Sequence, residues 1–444
     1  LADSAEAPAP FESADGLSLL EAEAVALHFN PQLRSTRAAS EAPLASAKEA
    51  GWWPDPQFEA ELLRFVDRGE KTRFKLDGPS FDGINAGGLE TTPPGFRRVE
   101  DEFIDNPWIV GAGLSITIPI SGRLAVDKDL RWSEYSAAWR RILVEEWNLI
   151  TELRTTWLGW SSSKEKLRMT REYVAKLELI AGITEQLVAA GEMKPTEGRL
   201  LQIELSHRRT SLLSLERDEQ QARLGLLSLM GIAPSATVTL HPRLSIAPAE
   251  LPSEIDMAVL MAHHPQIKSV EADYEAAEQR LRLEIRRQYP DLDIGPSYSF
   301  EEGFARFGLG VGFPIPLWNR NRQAIAEAFA EREAARVRAE AVVERVLSDL
   351  ALVELRLKYA RRRRQAILET VAPLVEKQVE DSRTLLDLGE VDVLLLRDAL
   401  TASLETKLDL LDAALAEGRA TNELQQMLQP RWFTPSQVNQ EETD

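Results

Sequence analysis

The side chains able to carry chemistry are few and poorly placed for catalysis. His263 and His264 are adjacent, and neighbours on a helix or strand point apart. With five histidines in the whole chain, they do not make a metal cage. The chain has no cysteine, which removes disulfides, thiolate metal sites and thiol nucleophiles together. Gly308, Gly310 and Gly312 form a GxGxG string. A nucleotide-binding fingerprint needs a third glycine and the start of a helix next, whereas Pro314 and further alternating residues follow here, so the glycines read as the small-residue face of a strand. Arg361 to Arg364 is a basic run inside a helical pattern and reads as a solvated face, the alternative being pairing with acidic neighbours. What remains is a set of carboxylates, Glu59, Glu61, Asp291 and Asp293, at the polar positions of alternating segments. No catalytic residue, cofactor or resident metal is expected.

Those carboxylates sit on strands whose period is two. From 108 to 118 the even positions Trp108, Val110, Ala112, Leu114, Ile116 and Ile118 are apolar, while Gly111, Gly113, Ser115 and Thr117 share the other face. From 305 to 315 the odd positions Ala305, Phe307, Leu309, Val311, Phe313 and Ile315 are apolar, against Arg306, Gly308, Gly310 and Gly312. Phe58, Ala60 and Leu62 alternate with Gln57, Glu59 and Glu61, and Leu292, Ile294, Tyr298 and Phe300 alternate with Asp291, Asp293, Ser297 and Ser299. Four strands are therefore expected, at about 56–66, 108–119, 291–300 and 305–316. A half-buried soluble sheet would explain any one of them. Together they have the ~10-residue length of a tilted membrane strand, and Trp52, Trp53, Trp108, Tyr289 and Trp318 flank them where an interfacial aromatic girdle belongs. Four strands cannot close a barrel, which takes about eight, so membrane strands demand an oligomer.

The chain also repeats itself. Asn30, Pro31, Gln32, Leu33, Arg34 and Ser35 are answered 234 residues later by His264, Pro265, Gln266, Ile267, Lys268 and Ser269. Ile118, Pro119, Ile120 and Arg123 are answered 197 residues later by Ile315, Pro316, Leu317 and Arg320, and Gly191 and Glu192 are answered 198 residues later by Gly389 and Glu390. Such an offset exceeds solenoid periods and marks duplicated halves. The domains are expected to be a flexible arm at 1–16, a first repeat at 17–250 with a long outer loop at 67–107, a second repeat at 251–430 and a tail at 431–444. Each half should run helix, strand, strand, very long helix, helix. The opening helices start at Pro31 and Pro265, the long ones cover about 124–189 and 322–387, and the last ones cover 195–230 and 391–428. Ala339, Val343, Val346, Leu350, Val353, Leu357, Ala360, Ile367, Val371 and Leu374 step by four and three like a coiled-coil seam, with Pro373 expected to kink the helix.

A net charge of −19 argues against nucleic acid as partner. No apolar run approaches the ~20 residues of a spanning helix, which leaves a β-barrel open. The chain opens on Leu1 rather than Met, as a trimmed mature product would.

The order of elements resembles the TolC family of outer-membrane channel proteins over about residues 17–430. The resemblance is carried by NPQLRS and HPQIKS, by the strand exits ITIPISGRL and FPIPLWNRN, by the glycine tips and by ARLGLLSLMGIAP. FPIPLWNRN before an alanine-rich helix looks most like the heavy-metal cation efflux branch. The resemblance implies a mainly α protomer with a small membrane β-barrel. Its homotrimer would form a twelve-stranded barrel in outer-membrane lipid, continued by a periplasmic coiled-coil tunnel. It also implies a periplasmic adaptor and an inner-membrane pump as partners, docked at tips containing Gly191, Glu192, Leu388, Gly389 and Glu390. It places Asp398, and with it Asp392, among the acidic residues that constrict the periplasmic mouth. The first tip, AAGEMKPTEGRL, departs from the family with Pro195 and Gly198. Absence of cysteine gives no support to a lipid anchor. The expected function is a passive export conduit, with metal cations, drugs or secreted proteins as cargo. A soluble coiled-coil scaffold without a pore is the reading of a different class.

Overall fold

The structure, a computed structural model, describes residues 16–64, 73–76, 96–99, 108–244, 257–301, 304–387 and 393–428. The arm expected at 1–16 apart from Gly16, the tail at 431–444 and most of the loop at 67–107 lie outside them. The chain divides into a helical unit (Leu1–Lys48, Arg131–Glu278, Ala330–Asp444) and a second unit holding the strands (Glu49–Leu130, Gln279–Phe329). Each half of the repeat supplies segments to both.

Local signals set the helix ends. In α1 (Leu19–Phe29) the Ser18 side chain accepts from the Glu21 N–H while the Glu21 carboxylate accepts from the Ser18 N–H, a capping box. The NPQLRS motif is then a cap for α2 (Pro31–Ala39). Asn30 Oδ1 accepts from the Leu33 N–H at 2.9 Å, Pro31 occupies the first turn, and Asn30 Nδ2 donates to the Leu229 carbonyl at 2.9 Å. One residue thus ends one helix and starts another. The expected single helix beyond Pro31 is broken after Ser40, whose hydroxyl donates to the Arg37 carbonyl, and resumes as α3 (Glu41–Lys48).

The strand unit contains β1 (Gln57–Arg64), β2 (Arg73–Leu76), β3 (Phe96–Val99) and β4 (Trp108–Ile118). β2 and β3 form a two-stranded antiparallel sheet inside what the sequence suggested was only a loop, because four alternating residues are too few to register as a pattern. The first long helix is α4 (Arg123–Ala189), of 67 residues. α5 (Pro195–Leu229) follows it, then α6 (Met257–His263) and α7 (Pro265–Arg286). In SLMGIAP, Gly231 ends α5 at φ 68°, and a β-carbon there would lie 2.3 Å from the Phe29 carbonyl oxygen, so both conformation and space require glycine.

β5 (Leu292–Glu301) and β6 (Phe304–Gly312) complete the sheet. β6 stops short of the expected 316, since Pro314 and Pro316 cannot donate to a ladder. The second long helix is not continuous. α8 (Arg322–Ala366) gives way to a π turn (Ile367–Val371) and then α9 (Ala372–Asp387), before α10 (Val393–Leu428). The Ala372 N–H reaches the Ile367 carbonyl, five residues back. Pro373 lacks an N–H and crowds the carbonyl four residues behind it, and the wide turn absorbs both defects. The extra residue rotates the seam. Val346, Leu350, Val353, Leu357, Ala360 and Ile367 are buried as expected, but Val371 and Leu374 are exposed. The covered phase moves one residue along, to Ala372, Val375 and Val379, which are partly buried, and Ser382, which is buried.

Three apolar clusters hold the helical unit. One joins α1, α2, α4 and α5 around Trp157, Trp160 and Leu226; one joins α4, α5 and α10 around Leu177, Leu201 and Leu400; one joins α6, α7, α8 and α10 around Val346, Leu350 and Leu424. The basic run does not face solvent alone. Arg361 and Arg364 meet Glu417, Arg363 meets Asp409, and Arg356 nearby meets Glu423, all across to α10. The arginines are exposed, so each pair contributes little, and their order along the two helices matches the antiparallel packing of α8 on α10.

Of the adjacent histidines, His263 is exposed and His264 is buried to 1 %. His264 stands where Asn30 stands in the first half, yet neither ring nitrogen has a hydrogen-bond partner among the described residues. Its ring meets Trp147 edge-on at 5.4 Å. Burial holds its pKa well below the usual 6.5, at about 4, with the Asp349 charge opposing in part. Between those values an unfolded chain binds a proton that the native chain refuses, so this residue's contribution is intact above about pH 6.5 and lost as pH falls toward 4. Thermal melts followed by circular dichroism should show His264→Leu less acid-sensitive than the parent over that window; equal sensitivity would rule the residue out.

Candidate functional site

The four long strands form one antiparallel sheet in the order β1-β4-β5-β6. Its registers align the faces. Phe58 lies opposite Leu114, Leu62 opposite Val110, Val110 opposite Phe300, Ile116 opposite Ile294, Ile294 opposite Val311 and Tyr298 opposite Phe307. One face is thus apolar across all four strands. The other carries Glu59 opposite Gly113, Glu61 opposite Gly111, Gly113 opposite Ser297, Thr117 opposite Asp293 and Ser299 opposite Arg306. The expected bounds hold to within a few residues at each strand.

Exposure decides what this sheet is for. In a soluble half-buried sheet the large apolar residues face the core. Here they face outward: Phe58 is 72 % exposed, Leu309 72 % and Phe307 86 %, and Val110, Leu114 and Ile116 are exposed as well. On the opposite face of β4, Gly111, Gly113, Ser115 and Thr117 are partly covered, as are Ala112 and Ile118, while β1 and β6 are exposed on both faces. A contiguous apolar face this large marks a surface made for another apolar phase. Trp52, Trp53, Trp108, Tyr289 and Trp318 are all exposed in the same unit, as a girdle would require.

The polar face is internally wired. Thr117 Oγ1 donates to Asp293 at 2.5 Å, Arg306 meets Glu301 at 2.8 Å, and Arg123 Nη2 meets Asp291 Oδ2 at 2.7 Å. Asp291 therefore serves as an ion-pair partner beside the sheet rather than as a free lumen charge, whereas Glu59 and Glu61 stand on the open β1 edge. Gly308, Gly310 and Gly312 lie opposite Ser297, Gly295 and Asp293 within β6, the strand reading of the GxGxG string. Among the described residues no cluster is placed to hold a metal ion, and no helix is long and apolar enough to cross a membrane.

The helical unit places the other predicted residues. Gly191 ends α4 at φ 78°, the N–H groups of Glu192 and Met193 close back on the Leu187 carbonyl, and Pro195 restarts the chain as the first residue of α5. The first tip is accordingly a tight turn between two helices. Leu388, Gly389, Glu390 and Asp392 lie outside the described residues. Asp398 is on α10, exposed, with Oδ1 held by Arg397 Nη2 at 2.6 Å and Nε at 3.0 Å. The sequence reading missed this neighbouring cation, although it is adjacent in the chain. Nearby, Tyr173 shares a hydrogen bond with Thr401 at 2.7 Å, and burial raises its phenol pKa. Arg208 lies over its ring at 5.5 Å and meets Glu204 at 2.7 Å.

Residues 258–428 match the sequence profile of the family described as outer membrane efflux protein. No curated protein matches the chain. Among solved structures, the outer-membrane channel OprN is 18 % identical, with a TM-score of 0.73 over 95 % of this chain and 93 % of that one. CusC, whose structures concern folding and transmembrane channel formation, is 16 % identical with a TM-score of 0.71 over 96 % and 99 %. VceC, an outer membrane protein of Vibrio cholerae, is 15 % identical with a TM-score of 0.68 over 92 % and 95 %. The fold is that of the outer-membrane channel proteins.

Proposed function

We propose that this protein is the outer-membrane channel of a tripartite efflux system, a passive conduit with no catalytic step. The outward apolar face of the four-stranded sheet carries this reading. The protein sits in the outer membrane and extends into the periplasm. Three copies close their sheets into one twelve-stranded barrel, because four strands cannot close alone. The two halves of the repeat supply the 17–250 and 251–430 segments, with 67–107 on the outer side. The turn at Gly191 and Glu192 and its counterpart at 388–390 dock a periplasmic adaptor that links the channel to an inner-membrane pump.

A bias toward cations, metal ions included, is the finer part of the proposal. It rests on the FPIPLWNRN resemblance, on Glu59 and Glu61, and on Asp398 from three copies meeting near the periplasmic mouth with Asp392. Arg397 offsets part of that charge within each copy. Protein extracted from outer membranes in detergent is expected to be a trimer that conducts in planar bilayers, and a water-soluble monomer would refute the channel. In the same recordings Asp398→Ala should weaken divalent block and cation selectivity, and Arg397→Ala should strengthen both. Unchanged selectivity in both variants would remove Asp398 from the mouth.

A further inference from the structure

The polar face of the sheet carries few long side chains. Along one row Glu61 lies opposite Gly111, Gly111 opposite Ser299 and Ser299 opposite Arg306. In the next, Glu59 lies opposite Gly113, Gly113 opposite Ser297 and Ser297 opposite Gly308. Beyond it Gln57 lies opposite Ser115, and Gly295 opposite Gly310. In the last two rows β4, β5 and β6 offer nothing larger than serine, so the wall beside Glu59 is bare.

The two carboxylates of β1 meet their glycines differently. A β-carbon at Gly111 would lie 3.3 Å from Glu61 Cβ and 3.5 Å from Glu61 Oε2. The Glu61 carboxylate is therefore folded back over the glycine and lies along the wall. Among the described residues, and leaving aside its own chain neighbours, a β-carbon at Gly113 would approach only the Pro296 carbonyl oxygen, at 3.9 Å. Glu59 leaves its glycine uncovered. Glycine weakens a strand interior and often marks a close approach; at Gly111 what approaches is a side chain of the neighbouring strand. The same device recurs on β6, where a β-carbon at Gly308 would lie 2.9 Å from Ser297 Oγ.

We propose that Glu59 carries most of the charge selectivity inside the barrel, and that Gly111 is a positioning residue that lowers the share of Glu61 by seating its carboxylate on the wall. The proposal rests on the cation-biased channel reading above and divides that bias between two carboxylates that the alternation of β1 treats as alike. A charge acts on passing ions over about 8 Å at physiological ionic strength, so a carboxylate standing toward the axis outweighs one laid against the wall. Every copy in the barrel repeats the difference.

Reversal potentials of single channels in planar bilayers under a salt gradient test this. Glu59→Gln should lower the cation-to-anion permeability ratio about threefold, and Glu61→Gln should lower it by a clearly smaller factor. Gly111→Ala crowds Glu61 off the wall and should raise the ratio, and adding Glu61→Gln should remove that gain. The comparison of the two glutamine variants stands whether or not Gly111→Ala yields trimer. If Glu61→Gln has an equal or larger effect, or if neither variant changes a cation-selective parent, the assignment falls and the channel reading survives. No gain in Gly111→Ala, or a gain that Glu61→Gln does not remove, would strip Gly111 of its role. A parent that does not conduct, or conducts without cation preference, would instead sink the reading on which the proposal rests.

Discussion

Leu114→Arg is expected to abolish recovery of folded trimer from outer membranes, whereas Ser115→Arg, one residue further along β4, leaves it intact. Leu114 lies on the outward face opposite Phe58, and Ser115 on the inner face opposite Gln57. An arginine held in the hydrocarbon midplane costs about 2–4 kcal/mol in a barrel strand, repeated in every copy of an assembly whose stability is itself only about 5–15 kcal/mol per domain. An arginine in the lumen stays in water and shifts selectivity instead. In a soluble scaffold the ranking differs, because an exposed Leu→Arg change is within about 0.5 kcal/mol of neutral. Comparing trimer yields in membrane extracts tests this, and equal yields would restore the scaffold reading.

Arg154→Ala should destabilise the helical unit by about 3–5 kcal/mol, the other large effect. Arg154 joins α4 to α1 through two bonds to Glu23, Nε to Oε1 at 2.6 Å and Nη2 to Oε2 at 3.0 Å, and both residues are buried. Removing the guanidinium strands a carboxylate in an apolar setting, where it must either find water or protonate. The double replacement Glu23→Leu with Arg154→Leu removes both charges and should recover most of the loss. Melting temperatures of the parent, single and double variants form the test. A double variant no better than the single would mean that packing of the arginine stem, not the charge pair, holds α1 to α4.

Much of the fold was legible because its signals are local. Asn30-Pro31 and Lys194-Pro195 announce helix starts, Gly191 and Gly231 announce stops, and alternation assigns every residue of β1, β4, β5 and β6 to a face. Failures occurred where the deciding partner is far away or where one residue changes the phase. β2 and β3 were missed because each has four residues and gains its identity only from the other. Val371 and Leu374 were placed in the seam because a constant step of four and three cannot foresee a π turn. Arg361–Arg364 is exposed as its sequence suggests, but its partners Glu417 and Asp409 are roughly fifty residues away in sequence and only the fold brings them near.

By itself, then, the sequence determined the two faces of the strands and the duplicated order of the elements, since a period of two and a cap motif are properties of adjacent residues. Only the tertiary structure decided which face is exposed, since that depends on whether any other element comes to cover it. None of the described residues covers the apolar face of the sheet. The same holds for His264, whose burial beside Trp147 follows from packing that its neighbours in sequence do not reveal.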